Sequence, residues 1–126
     1  MYKPKTEKDI RCPLEYGLNI FGGKWKTRII CVLHAYDQLR YGQLRAEMVD
    51  ITDAVLAAPL KELTNSGLIE RIQFNEIPPH VEYRLTEKGK SVVPILQSIC
   101  VWSGQIMKTD EQNSMRHCEK CDYKGL

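Results

Sequence analysis

Residues 67–89 read GLIERIQFNEIPPHVEYRLTEKG, and this stretch decides the fold class. Val81, Tyr83 and Leu85 alternate with Glu82 and Arg84, the period-two pattern of a strand with one buried face. Residues 68–74 match less strictly: Leu68, Ile72 and Phe74 share a face, and Glu70 interrupts it. The connector, residues 75–80, is longer than a two-residue turn. Pro78 and Pro79 stiffen it and remove two backbone donors, so it projects rather than pairs. A hairpin this small cannot bury itself, and three helical patterns precede it. Helices followed by a projecting hairpin point to a winged helix-turn-helix, a nucleic-acid-binding architecture. A hairpin that merely covers a helical core is the competing reading.

The rest of the chain narrows the class. Its 126 residues suit one domain with a modest core, and 43% hydrophobic with 27% charged residues is ordinary globular composition. The expected fold is α+β, mainly helical, with a two-stranded wing and terminal dimerisation helices. Net charge is only +2, so a nucleic-acid partner needs a local basic face. The opening MYKPKTEKDI has no apolar h-region, and no apolar run approaches the ~20 residues that span a bilayer, so no membrane partner is expected. Five cysteines without a secretory signal fit a reducing cytoplasm, where they are free, metal-binding or redox-active.

Residues 1–11 read as a flexible basic arm, 12–107 as the winged domain with its dimerisation helix, and 108–126 as a flexible polar tail with a Cys-x-x-Cys. Cys12-Pro13 starts a helix that carries Leu14, Leu18 and Phe21 on one face and stops at Gly22-Gly23. Residues 24–36 form a stronger helix, with Trp25, Ile29, Val32, Leu33 and Tyr36 as its apolar stripe. Lys24, Lys26 and Arg28 crowd its first turns, where cations oppose the helix dipole by roughly 0.3–1 kcal/mol each. A nearby phosphate would explain them; so would plain solvation. Residues 40–49 form a third helix with Leu44 and Met48 inward, followed by the turn Asp50-Ile51-Thr52. Thr52 caps a fourth helix whose buried side is Val55, Leu56, Leu60 and Leu63, and Gly67 lies just past its end. After Thr86 a last long segment carries more apolar surface than one helix face needs, with Pro94 able to bend its start. Val92, Leu96, Ile99, Trp102 and Ile106 are therefore the expected homodimer interface.

Taken in order, these motifs resemble the HxlR-type transcriptional regulators, relatives of the MarR family. The resemblance rests on Cys12-Pro13, Gly22-Gly23-Lys24-Trp25-Lys26, Arg40-Tyr41, Leu60 to Leu63 leading into Gly67-Leu68-Ile69-Glu70-Arg71, Pro78-Pro79-His80-Val81-Glu82-Tyr83, and Leu85-Thr86-Glu87-Lys88-Gly89. It spans about residues 11–107. It implies a homodimeric winged helix-turn-helix regulator on an inverted-repeat operator in double-stranded DNA. It also implies sensing of thiol-reactive signals through a cysteine placed like Cys12.

In such a dimer the fourth helix enters the major groove, two copies lying one DNA turn (about 34 Å) apart. Thr52, Asp53, Ala54, Ala57, Ala58 and Lys61 would face the bases. The wing with Pro78, Pro79 and His80 would lie along the backbone or minor groove, with Arg71 and Arg84 beneath it. Lys24, Lys26, Arg40 and Tyr41 would hold phosphates. The chain departs from the family at Ala57-Ala58-Pro59, where polar or basic residues are usual. The alanines offer only apolar contact, such as to a thymine methyl, and Pro59 should kink or shorten the helix. Weakened DNA binding with a role in protein contact is the alternative this raises.

Two thiol sites are candidates for sensing. At a helix entrance beside Arg11, the Cys12 thiolate would be favoured by the dipole and a cation. Cys31 and Cys100 lie in apolar helical patterns and read as core residues. In the tail, Cys118 and Cys121 have the spacing of half a zinc site or of a dithiol, with His117 adjacent. They would make a metal-responsive regulator the further alternative; otherwise no cofactor is expected. No enzyme is expected. A thiol oxidoreductase using the tail pair would lack the βαβ context of that chemistry.

Overall fold

The computed structural model describes residues 12–107 and 115–121. Among these described residues, the elements follow in the order α1 (Pro13–Phe21), α2 (Lys24–Tyr36), β1 (Gln38–Arg40), α3 (Tyr41–Met48), α4 (Asp53–Asn65), β2 (Ile69–Phe74), β3 (His80–Leu85), α5 (Glu87–Lys90), α6 (Val93–Gly104) and α7 (Arg116–Lys120). The strands make one antiparallel sheet in the order β1-β3-β2. Leu39 pairs with Tyr83, and Ile69 to Phe74 pair with Leu85 to His80. The hairpin expected from residues 67–89 is thus present. Strand β1 was not anticipated, because three residues carry too little alternation to be read.

The core is built around α2. Ile29, Ile30, Val32 and Leu33 are buried there against Leu44 and Met48 of α3 and Leu56, Leu60 and Leu63 of α4. Leu68, Ile69, Tyr83 and Leu85 close it from the sheet. Each fully buried aliphatic side chain contributes roughly 1.5–3 kcal/mol relative to exposure. Val55, expected inside, is exposed; the inward stripe of α4 follows Leu56, Leu60 and Leu63 alone.

Local chemistry explains the boundaries. Pro13 occupies the first turn of α1, and Gly23 takes a φ of 98° before α2. Thr52 Oγ1 accepts from Val55 N at 3.3 Å and caps α4. Pro59 neither ends nor shortens α4, which runs on to Asn65. Val49 closes α3 with a φ of 57°, a conformation strained for a β-branched residue, and this sets the sharp turn into α4. Thr86 Oγ1 accepts from Gly89 N at 3.1 Å and caps α5. A Cβ at Gly89 would collide with the Leu68 carbonyl, so only glycine lets α5 pack this close to the sheet.

The last apolar segment is divided. A break at Ser91-Val92 separates α5 from α6, and Pro94 lies in the first turn of α6, where its missing N–H costs nothing. Val92 and Leu96, expected at a dimer surface, are buried in the core of this chain. Ile99, Trp102 and Ile106 are exposed, as are Ile95 and Met107. The tail also differs from a uniformly flexible segment. Residues 116–120 form α7, which packs on α2 and buries His117. The basic arm, residues 1–11, lies outside the described residues.

Candidate nucleic-acid interface

Helices α3 and α4 are locked across their turn by one carboxylate. Tyr41 Oη donates to Asp53 Oδ1 at 2.6 Å, and Arg45 Nε lies 3.0 Å from the same oxygen. The hydrogen bond to Asp53, and then burial, raise the Tyr41 hydroxyl above its ordinary range. Tyr41 and Asp53 therefore set the angle between the two helices. Their polar atoms are engaged with each other, whereas the sequence placed both on DNA. Arg40, at the start of α3, is exposed, and its backbone N–H donates to Gln43 Oε1 at 3.1 Å.

The outer side of α4 is as expected. Thr52, Asp53, Ala54, Ala57, Ala58 and Lys61 are all exposed. Between this helix and the wing runs a trough in two adjoining hollows of about 330 and 510 Å³. Ala57, Lys61 and Thr64 line it from α4, Arg40 and Tyr41 from the start of α3, and Arg71 and Tyr83 from the sheet. Arg40, Lys61 and Arg71 are cations, and no lining residue is acidic. A chain of net charge +2 thus concentrates positive charge along this trough.

The wing tip consists of exposed residues, Pro78 and Pro79 among them. His80 is not at the tip. It begins β3, stacks on Phe74 with ring centroids 4.7 Å apart, and places Nε2 2.8 Å from Glu82 Oε2. Glu82 also accepts from Gln38 Nε2 at 2.7 Å; that bond first, and His80 second, hold its carboxyl below the usual range. His80 thus stiffens the base of the wing, and it also lines the hollow beside Arg40 and Arg71. Arg84 pairs with its cross-strand neighbour Glu70 at 3.1 Å.

The two lysines of the second helix separate. Lys24 is exposed, with Nζ 4.5 Å from the Trp25 ring centroid. Lys26 is buried. Its Nζ lies 3.0 Å from Glu62 Oε2 and donates to the carbonyls of Ile20 at 3.2 Å and Asn19 at 3.4 Å. It ties the end of α1 to α4 and cannot hold a phosphate. The sequence did carry a signal: Lys26 precedes Ile29, Ile30 and Leu33 at the i+3, i+4, i+7 spacing of one helix face.

Cys12 precedes Pro13 at the entrance to α1, half-buried, a free thiol whose side chain makes no capping bond; Arg11 lies outside the described residues. The tail trio does not assemble as a metal site. Among the described residues no group of three or more His, Cys, Asp or Glu side chains is placed to hold a metal ion. His117 turns inward, and burial first, then Arg28, push its pKa below the ordinary 6.5. Among the described residues no helix is long and apolar enough to cross a membrane.

Comparison with known proteins agrees with this geometry. Residues 20–111 match the model of the HxlR-like helix-turn-helix family. An uncharacterised HTH-type transcriptional regulator of Methanothermobacter thermautotrophicus is 44% identical over 103 residues, which cover 82% of this chain and 77% of that protein. The crystal structure of a putative HTH-type transcriptional regulator, ytcD, superposes with a TM-score of 0.71 at 37% identity, covering 75% of this chain and 96% of that one. The redox regulator HypR in its oxidised form gives 0.67 at 33% identity, covering 78% and 100%. With an α3–turn–α4 unit, a hairpin wing and a match over most of its length, this chain belongs to the HxlR-like helix-turn-helix family of transcriptional regulators.

Proposed function

We propose that this regulator binds double-stranded DNA as a homodimer, on an inverted-repeat operator, and answers thiol-reactive or oxidising signals through Cys12. The observation that carries the DNA reading is the acid-free trough between α4 and the wing, with Arg40, Lys61 and Arg71 on its walls. The exposed side of α4 fits a major groove, and the proline-stiffened tip fits the adjacent backbone. Ala57 and Ala58 supply apolar contact alone, so sequence preference leans on the wing and on DNA shape.

Dimerisation is supported by apolar side chains left outside the core. Ile95, Ile99, Trp102 and Ile106 are exposed at α6 and just beyond it, and Leu14, Tyr16 and Leu18 on α1. The thiol reading is supported by the free Cys12 at a helix entrance and by the likeness to HypR, which is described as a redox regulator.

The deciding experiment is selection of genomic DNA fragments by reduced protein, repeated after diamide and with Cys12→Ser. A short inverted repeat recovered by reduced but not by oxidised wild type, and still recovered by oxidised Cys12→Ser, is the expected result. A Cys12→Ser chain that responds like wild type would remove the Cys12 switch. No enriched sequence in either state would favour the protein-contact role raised by Ala57-Ala58-Pro59.

A further inference from the structure

Four of the five cysteines, all but Cys12, gather where α2, α6 and α7 come together. Cys31 lies on α2, Cys100 on α6, and Cys118 and Cys121 on α7 and its C-terminal cap. None is in a disulfide, and none is exposed. Docking of α7 on α2 brings the tail pair to the other two. Gln97 Nε2 of α6 donates to Cys121 Sγ at 3.6 Å. Cys100 follows Gln97 by three residues, and so occupies the next position on the same face of α6.

We infer that Cys100 and Cys121 form a dithiol oxidation site, closed to an intrachain disulfide by low-molecular-weight disulfides. Cys118 is the nearer partner in sequence but not the favoured one. The chain leaves helical geometry at Cys121, whose φ of −76° and ψ of 132° are extended, and Gln97 holds its sulfur on α6. Cys31 stays a thiol: burial first, then the charges of Cys100, Cys118 and Cys121, push its pKa up to about 12. Burial and then the charge of Cys121 also raise the pKa of Cys100.

The chemistry balances. Cys121 thiolate attacks one sulfur of the small disulfide and expels a small thiolate, leaving a mixed disulfide. Cys100 then attacks Cys121 Sγ and expels the second small thiolate. The two protein sulfurs are oxidised, the small disulfide is reduced to two thiols, and these carry away the two protons. The bond would fasten α7 to α6, the helix that exposes Ile99 and Trp102. The inference requires neither DNA binding nor Cys12.

The test uses the full chain with Cys12→Ser, treated with oxidised glutathione, alkylated and digested with trypsin. Cleavage after Lys90, Lys108, Arg116, Lys120 and Lys124 puts Cys100 in peptide 91–108, Cys118 in 117–120 and Cys121 in 121–124. The expected product is 121–124 linked to 91–108, undetected in reduced protein and the main disulfide after oxidation. It should persist in Cys118→Ser and vanish in Cys121→Ser, a substitution outside the core. Linkage of 121–124 to 117–120, or alkylation of both Cys100 and Cys121 after oxidation, would overturn the inference. So would light–heavy linked peptides from a mixture of isotopically light and heavy chains, which would show bonds between chains. Because Cys12 is absent throughout, failure of the Cys12 switch leaves this result unaffected.

Discussion

Lys26 Nζ sits 3.0 Å from Glu62 Oε2, joining the buried side of α2 to α4. Glu62 is half exposed, so the ion pair itself contributes at most about 1 kcal/mol. The larger contribution comes from the Ile20 and Asn19 carbonyls that the ammonium also satisfies. Lys26→Met should destabilise the fold by about 1–3 kcal/mol, and Glu62→Gln by less than about 1 kcal/mol. Exposed Lys24→Ala should stay within about 0.5 kcal/mol. Urea melts of the three variants check the order. A Lys26→Met chain as stable as wild type would contradict the structural role.

Pro59 sits in mid-helix on α4, where it forfeits one backbone hydrogen bond. Pro59→Ala should raise stability by up to about 3 kcal/mol, read from the same melts. Pro59→Arg should also tighten binding to a selected operator fragment, by adding a cation beside exposed Ala58. Fluorescence anisotropy at fixed salt measures this. Unchanged affinity would count against α4 as the DNA-facing helix.

Trp102 is 65% exposed and Leu96 only 6%, although both lie on α6. Trp102→Glu should leave the fold intact and weaken dimerisation by about 30-fold or more, the effect of an interface anchor. Leu96→Ala should instead cost about 2–5 kcal/mol of folding stability. Sedimentation separates the two. A Trp102→Glu chain that dimerises like wild type would exclude the exposed side of α6 as the interface.

His117 gives the docking of α7 a pH dependence. It is buried with Nδ1 unpartnered, and it faces Arg28, which lowers its pKa, and Glu47, which raises it. Burial dominates, so the folded-state pKa lies below the ordinary 6.5 and the docked form favours neutral imidazole. Docking is then fully present above about 6.5 and is lost as pH falls through the folded-state value. Hydrogen exchange of residues 115–121 should accelerate on acidification beyond the intrinsic pH trend, and His117→Phe should flatten the response. Protection that rises as pH falls would reverse the sign and refute this.

Much of the architecture was legible in residue order. The alternation of Val81, Tyr83 and Leu85 located β3, and its partner strand followed from Leu68 to Phe74. The 3.6-residue spacing of Ile29, Val32 and Leu33, and of Leu56, Leu60 and Leu63, located α2 and α4. Thr52, Gly67 and Pro13 marked ends, because capping and positive φ are local properties of a few residues. The exposed side of α4, from Thr52 to Lys61, was readable for the same reason.

What the sequence by itself determined was therefore the periodicities, the helix ends and the wing. The tertiary structure decided which polar and apolar groups meet. Lys26 looked like a phosphate ligand until Glu62 and the end of α1 closed over it. His80 looked like a wing-tip contact until Phe74 and Glu82 took it into the hairpin. Val92 and Leu96 shared an apolar run with Trp102, and only packing against the core divided them. Cys121 lies 24 residues beyond Gln97, and no local pattern could bring them together. Periodicity reports which face of an element is apolar. The partner of that face, and the fate of each charge on it, depend on contacts between residues far apart in the chain.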